Sequence, residues 1–273
     1  MKTKGQSNLK VLTECSIMIA LGTVLSIVKL FEMPYGGSIT LASMLPVAII
    51  AYRHGIKYGI SSALVTSLIQ MLLGMKNFSY FSTWQSFVVL ALFDYVIAFT
   101  VFGLSGVFRK RIKRQSVALA SGAALACLMR YVCHVISGAT VWAGLSIPTE
   151  AALIYSLSYN ATYMIPDTII LVACSAYVAS ALDLTASIPT RIKSEAIKRE
   201  SVYCLIAAGA SALAALITDT ILVFSKLQNA DSGEFDITAL SSVNWLAVII
   251  VSAVCAIVSA ALVIIANKIS KKA

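Results

Sequence analysis

Long apolar runs, broken at short intervals by clusters of charge, organise this chain from end to end. A bilayer core about 30 Å thick is crossed by about 20 apolar residues. Runs of that kind occupy 11–31, 57–75, 85–108, 116–142, 152–182, 201–225 and 243–267. An eighth, at 39–52, is shorter and is entered through Tyr35-Gly36-Gly37-Ser38, so its start is expected to be irregular. Non-helical backbone at membrane depth persists only where protein or a wet cavity satisfies it. The glycine turn is therefore either a cavity wall or a plain interhelical turn. The pattern predicts an all-α integral membrane protein of eight spans.

Charge turns this pattern into a topology. Of 21 lysines and arginines, 17 fall in one set of loops: Lys2, Lys4 and Lys10; Arg53 and Lys57; Arg109, Lys110, Arg111, Lys113 and Arg114; Arg191, Lys193, Lys198 and Arg199; Lys268, Lys271 and Lys272. The positive-inside rule places these loops, and both termini, in the cytoplasm. The opposite loops carry Glu32, Glu150, Asp231, Glu234 and Asp236. An even number of spans agrees with the alternation. A charged stretch with a proline divides the chain. Residues 1–185 form a six-span unit, 186–200 a cytoplasmic connector, and 201–273 a two-span extension dominated by Ala, Leu, Ile, Val and Ser.

Composition supports lipid as the solvent. Only 12% of residues are charged, where a soluble domain carries about 25%, and the mean hydropathy is +0.88. The net charge of +9 belongs to the loops rather than to a nucleic-acid surface. No small-residue cleavage site follows the first run, so it reads as a span and not as a signal peptide. Cys15, Cys127, Cys133, Cys174, Cys204 and Cys255 all lie in apolar stretches, and no CxxC pair occurs. Small buried apolar residues are expected there, with neither a disulfide framework nor a zinc site. No DDxxD, HxxxD or HExxH pattern is present, which argues against a membrane enzyme, and no metal or cofactor is expected. Without a GxxxxGK[ST] loop the chain does not hydrolyse ATP itself.

Ionisable groups inside spans are costly and mark function or a paired structural site. Asp94, Arg130, His134, Asp167 and Asp219 are such groups. Asp94, with Tyr95 beside it, lies roughly 13 Å below the outer end of the fourth span at 1.5 Å per residue. On the fifth span Arg130, His134, Gly138 and Trp142 recur every four residues and form one stripe. On the sixth, Tyr155, Tyr159 and Asn160 lie near the outer end, and Tyr163 and Asp167 continue the face of Tyr159 inward. Trp84 and Gln85 open the fourth span. A pocket open to the outside accounts for this layer. Two readings without a ligand stand beside it: Trp84, Trp142 and Tyr155 as an interfacial aromatic belt, and Asp94 with Arg130 as a structural ion pair. Asp219 stands apart, and a local serine or backbone partner is expected for it. Aromatic faces with a desolvated carboxylate suit a flat cation. Amide and imidazole groups suit a heteroaromatic ring.

Several segments carry a family resemblance. Pro34-Tyr35-Gly36-Gly37-Ser38-Ile39-Thr40-Leu41, Phe93-Asp94-Tyr95-Val96-Ile97-Ala98-Phe99, Gly103-Leu104-Ser105-Gly106, Arg130-Tyr131-Val132-Cys133-His134-Val135-Ile136-Ser137-Gly138 and Tyr155 through Asp167 resemble, in order and spacing, the thiamine-specific S components (ThiT/YuaJ) of energy-coupling factor (ECF) transporters. The resemblance covers about residues 10–185. It implies a six-helix bundle in the plasma membrane of a bacterium that binds thiamine from outside and is not an enzyme. It also implies partners, a transmembrane coupling subunit and two ABC ATPases, with transport by toppling in the membrane. The family's contacts carry over to Asp94, His134, Gly138, Trp142, Tyr155 and Asn160, with Trp84 a looser match and Arg130 near the hydroxyethyl or diphosphate end. The small-xxx-small face that docks on the coupling subunit corresponds to Ser16 and Ala20.

This chain departs from the family pattern twice. Gly37 stands where some members have a tryptophan, so one aromatic wall must come from elsewhere, with Tyr35 and Trp84 as candidates. The two spans after residue 200 have no family counterpart. A competing reading is a stand-alone secondary transporter of thiamine or a related heteroaromatic, with Asp94 or Asp167 carrying a proton.

Overall fold

A computed structural model describes residues 4–33, 36–141, 150–192, 199–227 and 237–271. The chain divides into two compact units, Met1–Ile192 and Lys193–Ala273. In the first, α1 (Lys4–Ile27) leads into a two-stranded antiparallel hairpin, β1 (Lys29–Glu32) and β2 (Ser38–Thr40). Helices α2 (Leu45–His54), α3 (Ile56–Leu73), α4 (Trp84–Leu104), α5 (Gln115–Thr140) and α6 (Glu150–Ala181) follow. A short pairing of β3 (Leu182–Asp183) with β4 (Thr190–Arg191) closes the unit. The second unit is a pair of helices, α7 (Arg199–Leu227) and α8 (Trp245–Lys271).

Among the described residues, seven helices are long and apolar enough to cross a membrane. The expected second span is not one of them. Its residues form the extended β2 and then α2, whose ten residues rise about 15 Å, half a bilayer. Every residue from Pro46 to Arg53 is buried. An apolar run wrapped by protein looks in sequence like one wrapped by lipid, which is why the pattern suggested a full span. The irregular entry is satisfied internally: Leu45 N–H donates to Ala42 O at 2.9 Å, and Thr40 N–H reaches a side chain of α6.

The end of the unit opposite the hairpin is closed by backbone-to-backbone packing. A Cβ on Gly59 would stand 2.6 Å from the Gly103 carbonyl oxygen, and one on Gly103 would stand 2.5 Å from the Ile60 nitrogen. Gly106 presses on the Ala51 carbonyl and Gly122 on that of Ser105. Arg53, expected in a solvated loop, is instead buried in this end. Its Nε and Nη2 donate to the two carboxylate oxygens of Glu14 at 2.5 and 3.2 Å, and its Nη1 donates to Leu184 O and Ala186 O at 2.7 and 3.1 Å. The pairing is bidentate and its donors are used. Arg109 caps the same knot by donating to Arg53 O at 2.6 Å.

α4 is not uniform. After a regular first stretch, Ala91–Ile97 winds as a π-helix, and the last turn, Val101–Leu104, tightens to 3₁₀. Inserted π turns re-aim side chains and recur at functional sites.

Candidate functional site

A cavity of about 470 Å³ opens at the hairpin end of the first unit. The hairpin forms one wall through Lys29, Glu32, Gly36, Gly37, Ser38 and Thr40, so the glycine turn is a cavity wall. The other walls come from α3 and the turn after it (Gln70, Gly74, Lys76, Asn77), α4 (Asp94, Tyr95, Phe99), α5 (Arg130, His134, Gly138) and α6 (Tyr155, Ser156, Tyr159, Asn160, Tyr163, Asp167).

The π turn places Asp94 and Tyr95 on opposite tasks. Tyr95 is buried, its hydroxyl donating to Gly74 O at 3.1 Å and accepting from Asn77 Nδ2 at 2.9 Å. Asp94 faces α5, where its Oδ1 lies 2.8 Å from His134 Nδ1. On the other side of the imidazole, Arg130 Nε donates to His134 Nε2 at 3.1 Å. A guanidinium only donates, so Nε2 is the acceptor nitrogen and the ring proton sits on Nδ1, directed at Asp94. The Arg130 guanidinium also lies 4.4 Å over the Phe99 ring and 3.5 Å from Asp167 Oδ2. Arg130 is therefore engaged with His134 and Asp167, not with Asp94 as a structural ion pair. With the imidazole neutral, as the Arg130 hydrogen bond assigns it, and both carboxylates ionised beside their donors, the cluster carries one net negative charge.

Asn160 is held by four hydrogen bonds. Its amide nitrogen donates to Ser156 O, Ser156 Oγ and His134 O at 2.9, 3.2 and 3.3 Å, and its Oδ1 accepts from the Tyr163 hydroxyl at 2.7 Å. Gly138 lets α6 approach closely, since a Cβ there would collide with Ser156 Oγ. Tyr155 stacks on Tyr159 with ring centroids 5.9 Å apart and an interplanar angle of 9°, and Tyr159 meets Tyr163 edge-on at 6.0 Å. Tyr163 packs on Gly37, where an added Cβ would stand 2.5 Å from the ring. An aromatic face thus covers the position where the hairpin lacks one. Tyr35, one of the two residues expected there, lies outside the described residues.

At the mouth, Lys29 and Glu32 pair at 2.8 Å, and the hydrogen bond from Lys29 holds the Glu32 carboxyl below the ordinary carboxylate value. Lys76 is exposed beside them.

Of the ten cavity residues expected from sequence, seven line the cavity: Asp94, Tyr95, Arg130, His134, Gly138, Tyr155 and Asn160. Trp84 and Gln85 do not. Thr83 caps α4 by accepting from Ser86 N–H at 3.3 Å, and the helix then buries Ser86 and Leu90. The first two residues are thereby turned outward, with Trp84 72% exposed. Trp84 cannot supply the missing wall, and its position fits the interfacial belt. Trp142 lies outside the described residues. Ser16 and Ala20 are both exposed on α1. Beyond those ten, Tyr163 and Asp167, which continue the Tyr159 face of α6, line the cavity, and so does Thr40, whose place in the 34–41 segment is its only sequence signal. No cluster of three or more metal-ligating side chains occurs among the described residues.

Residues 12–185 match the family model of a thiamine transporter protein (Thia_YuaJ). Over 170 residues the chain is 35% identical to the thiamine transporter ThiT of Bacillus subtilis (strain 168), in an alignment that takes in 58% of this chain and 84% of that one. A solved structure of ThiT from Listeria monocytogenes aligns with a TM-score of 0.51 at 22% identity, covering 63% of this chain and 94% of that one. The last likeness speaks to the fold.

Proposed function

The chain belongs to the Thia_YuaJ family of thiamine transporters, membrane proteins rather than enzymes, and on that premise we propose that it binds thiamine from outside the cell as the substrate-binding subunit of an ECF-type importer. The observation that carries the proposal is the polar cluster on α4, α5 and α6, whose one net negative charge matches a monovalent cation. The stacked tyrosines offer π faces to the flat rings, and cation–π attraction contributes about 0.5–2 kcal/mol. Asp94 pairs with the cationic ring, while His134 and Asn160 hold the polar groups that frame it.

Energy coupling comes from partners in this reading, a transmembrane coupling subunit and two ABC ATPases, with Ser16 and Ala20 on the exposed face of α1 at the contact. Without a nucleotide loop in the sequence, ATP-driven uptake needs separate ATPases. The close glycine-mediated backbone contacts and the Arg53 knot at the end of the first unit opposite the cavity support this reading over a stand-alone carrier, because such packing resists the opening of a second gate. The positive-inside rule, applied to the arginine-rich loops, supports a reading with both termini in the cytoplasm and the cavity facing outward.

The test is calorimetric titration of purified protein with micromolar thiamine, together with mass spectrometry of the small molecule that copurifies. Saturable heat and copurified thiamine are expected; no heat and a different molecule overturn the ligand. Uptake into vesicles is expected to require ATP and the ATPase subunits. Uptake without them establishes the secondary transporter instead.

A further inference from the structure

Asp167 ties two walls of the cavity together, the hairpin and α5. Its Oδ1 accepts from the backbone N–H of Thr40 at 2.9 Å and from the Thr40 hydroxyl at 3.0 Å. Its Oδ2 faces Arg130 Nη1 at 3.5 Å. Pro166, just before it, removes one backbone donor from α6. The side chain keeps only 12% of its surface exposed, so Arg130 meets this carboxylate in a largely desolvated setting. Beyond Arg130 come His134 and then Asp94, so the imidazole stands between the guanidinium and the carboxylate assigned to the ligand.

We propose that Asp167 is a positioning residue that sets the charge preference of the cavity: by holding Arg130 on its own side of His134, it leaves Asp94 uncompensated for a cationic ligand. The inference rests on the reading that the ligand is a monovalent cation. Asp94 and Arg130 without Asp167 form a neutral set. The guanidinium is then free to compete with the ligand for Asp94. With Asp167 in place the set carries one negative charge, and Arg130 is spent on Asp167 and on fixing the imidazole tautomer. The same carboxylate seats Thr40, so the charge balance of the cavity and the seating of the hairpin depend on one residue.

The experiment compares two ligands on the full-length protein: thiamine, and its neutral isostere in which carbon replaces the thiazolium nitrogen. The readout is the ratio of the two dissociation constants. In Asp167→Asn the affinity for thiamine falls roughly tenfold or more, the change expected when a unit charge leaves a desolvated site, while the neutral isostere is little affected. Asp167→Glu restores the preference for the cation. Arg130→Gln raises that preference, and the double variant R130Q/D167N returns it toward the wild-type ratio, because one negative charge again remains. If D167N does not fold, R130Q and R130Q/D167N decide the matter. Equal weakening of both ligands by D167N, or an unchanged ratio in R130Q, overturns the proposal. Wild-type protein that binds neither ligand overturns the thiamine reading, and this inference with it. Wild-type protein that binds thiamine, with D167N keeping the wild-type ratio, overturns the role of Asp167 alone.

Discussion

The α5–α6 pair and the α7–α8 pair are both long apolar helices in close contact, yet they use polar residues differently. Between α5 and α6, Ser156 donates to Val135 O at 2.9 Å, Asn160 binds His134 O, and the neighbouring Arg130, His134 and Asp167 form a connected chain of charge. In the α7–α8 pair, Ser201 donates to Ala266 O and Ser259 to Ala208 O, each at 3.0 Å, and nothing comparable to a charge network is present among the described residues. Its one intramembrane carboxylate, Asp219, accepts from Ser252 at 2.5 Å through Oδ2, while Oδ1 has no hydrogen-bond partner there. In lipid, apolar surface gives helices little reason to associate, so packing and interhelical hydrogen bonds do the joining in both pairs. The difference is that the first pair spends its polar groups around a cavity and the second spends them on helix contact. Polar residues in a membrane thus fall into two kinds, and connectivity separates them better than charge does.

Substitutions sharpen or break that contrast. The largest effect belongs to Asp94→Asn, which removes the charge partner of the ligand and is expected to weaken thiamine binding by about 2–5 kcal/mol; calorimetry reads it directly, and a near-wild-type constant would mean the cation sits elsewhere. His134→Ala and Asn160→Ala are expected to cost about 1–3 kcal/mol each, the penalty for buried polar partners left unpaired. Near-normal affinity in both would move the pocket away from α5 and α6. Ser259→Ala should lower the stability of the α7–α8 pair by about 0.6 kcal/mol, a typical interhelical hydrogen bond, visible in thermal unfolding in detergent but not in the thiamine titration. Smallest of all, Asp219→Asn should leave thiamine affinity unchanged. A clear loss there would erase the contrast and bring the second pair into the binding function.

Much of this was legible in the sequence, for a physical reason. A membrane span must be apolar along its whole length, so Asp94, Arg130, His134 and Asn160 stand out against their background without any knowledge of packing. The same logic misled at 39–52, where burial in protein imitates burial in lipid and the helix is only α2. Trp84 and Gln85 failed differently. Counting residues from a helix end gives depth but not direction, and the Thr83 cap together with the π turn at Ala91–Ile97 decides which residues of α4 turn inward. The role of Thr40 was illegible because a backbone N–H and a hydroxyl are common groups, and only the fold aims both at Asp167.

The Arg53 knot carries a consequence for how the protein is made. Its partner Glu14 precedes it by 39 positions, but the carbonyl of Leu184 follows 131 positions later. At a synthesis rate of about 5–20 residues per second, that carbonyl leaves the ribosome on the order of ten seconds after Arg53. Throughout that interval Glu14 is the only one of these acceptors already made. The last turn of the first unit is therefore the piece that completes one of its earliest, and a chain interrupted before Leu184 leaves a strong cation short of its acceptors at the end opposite the cavity.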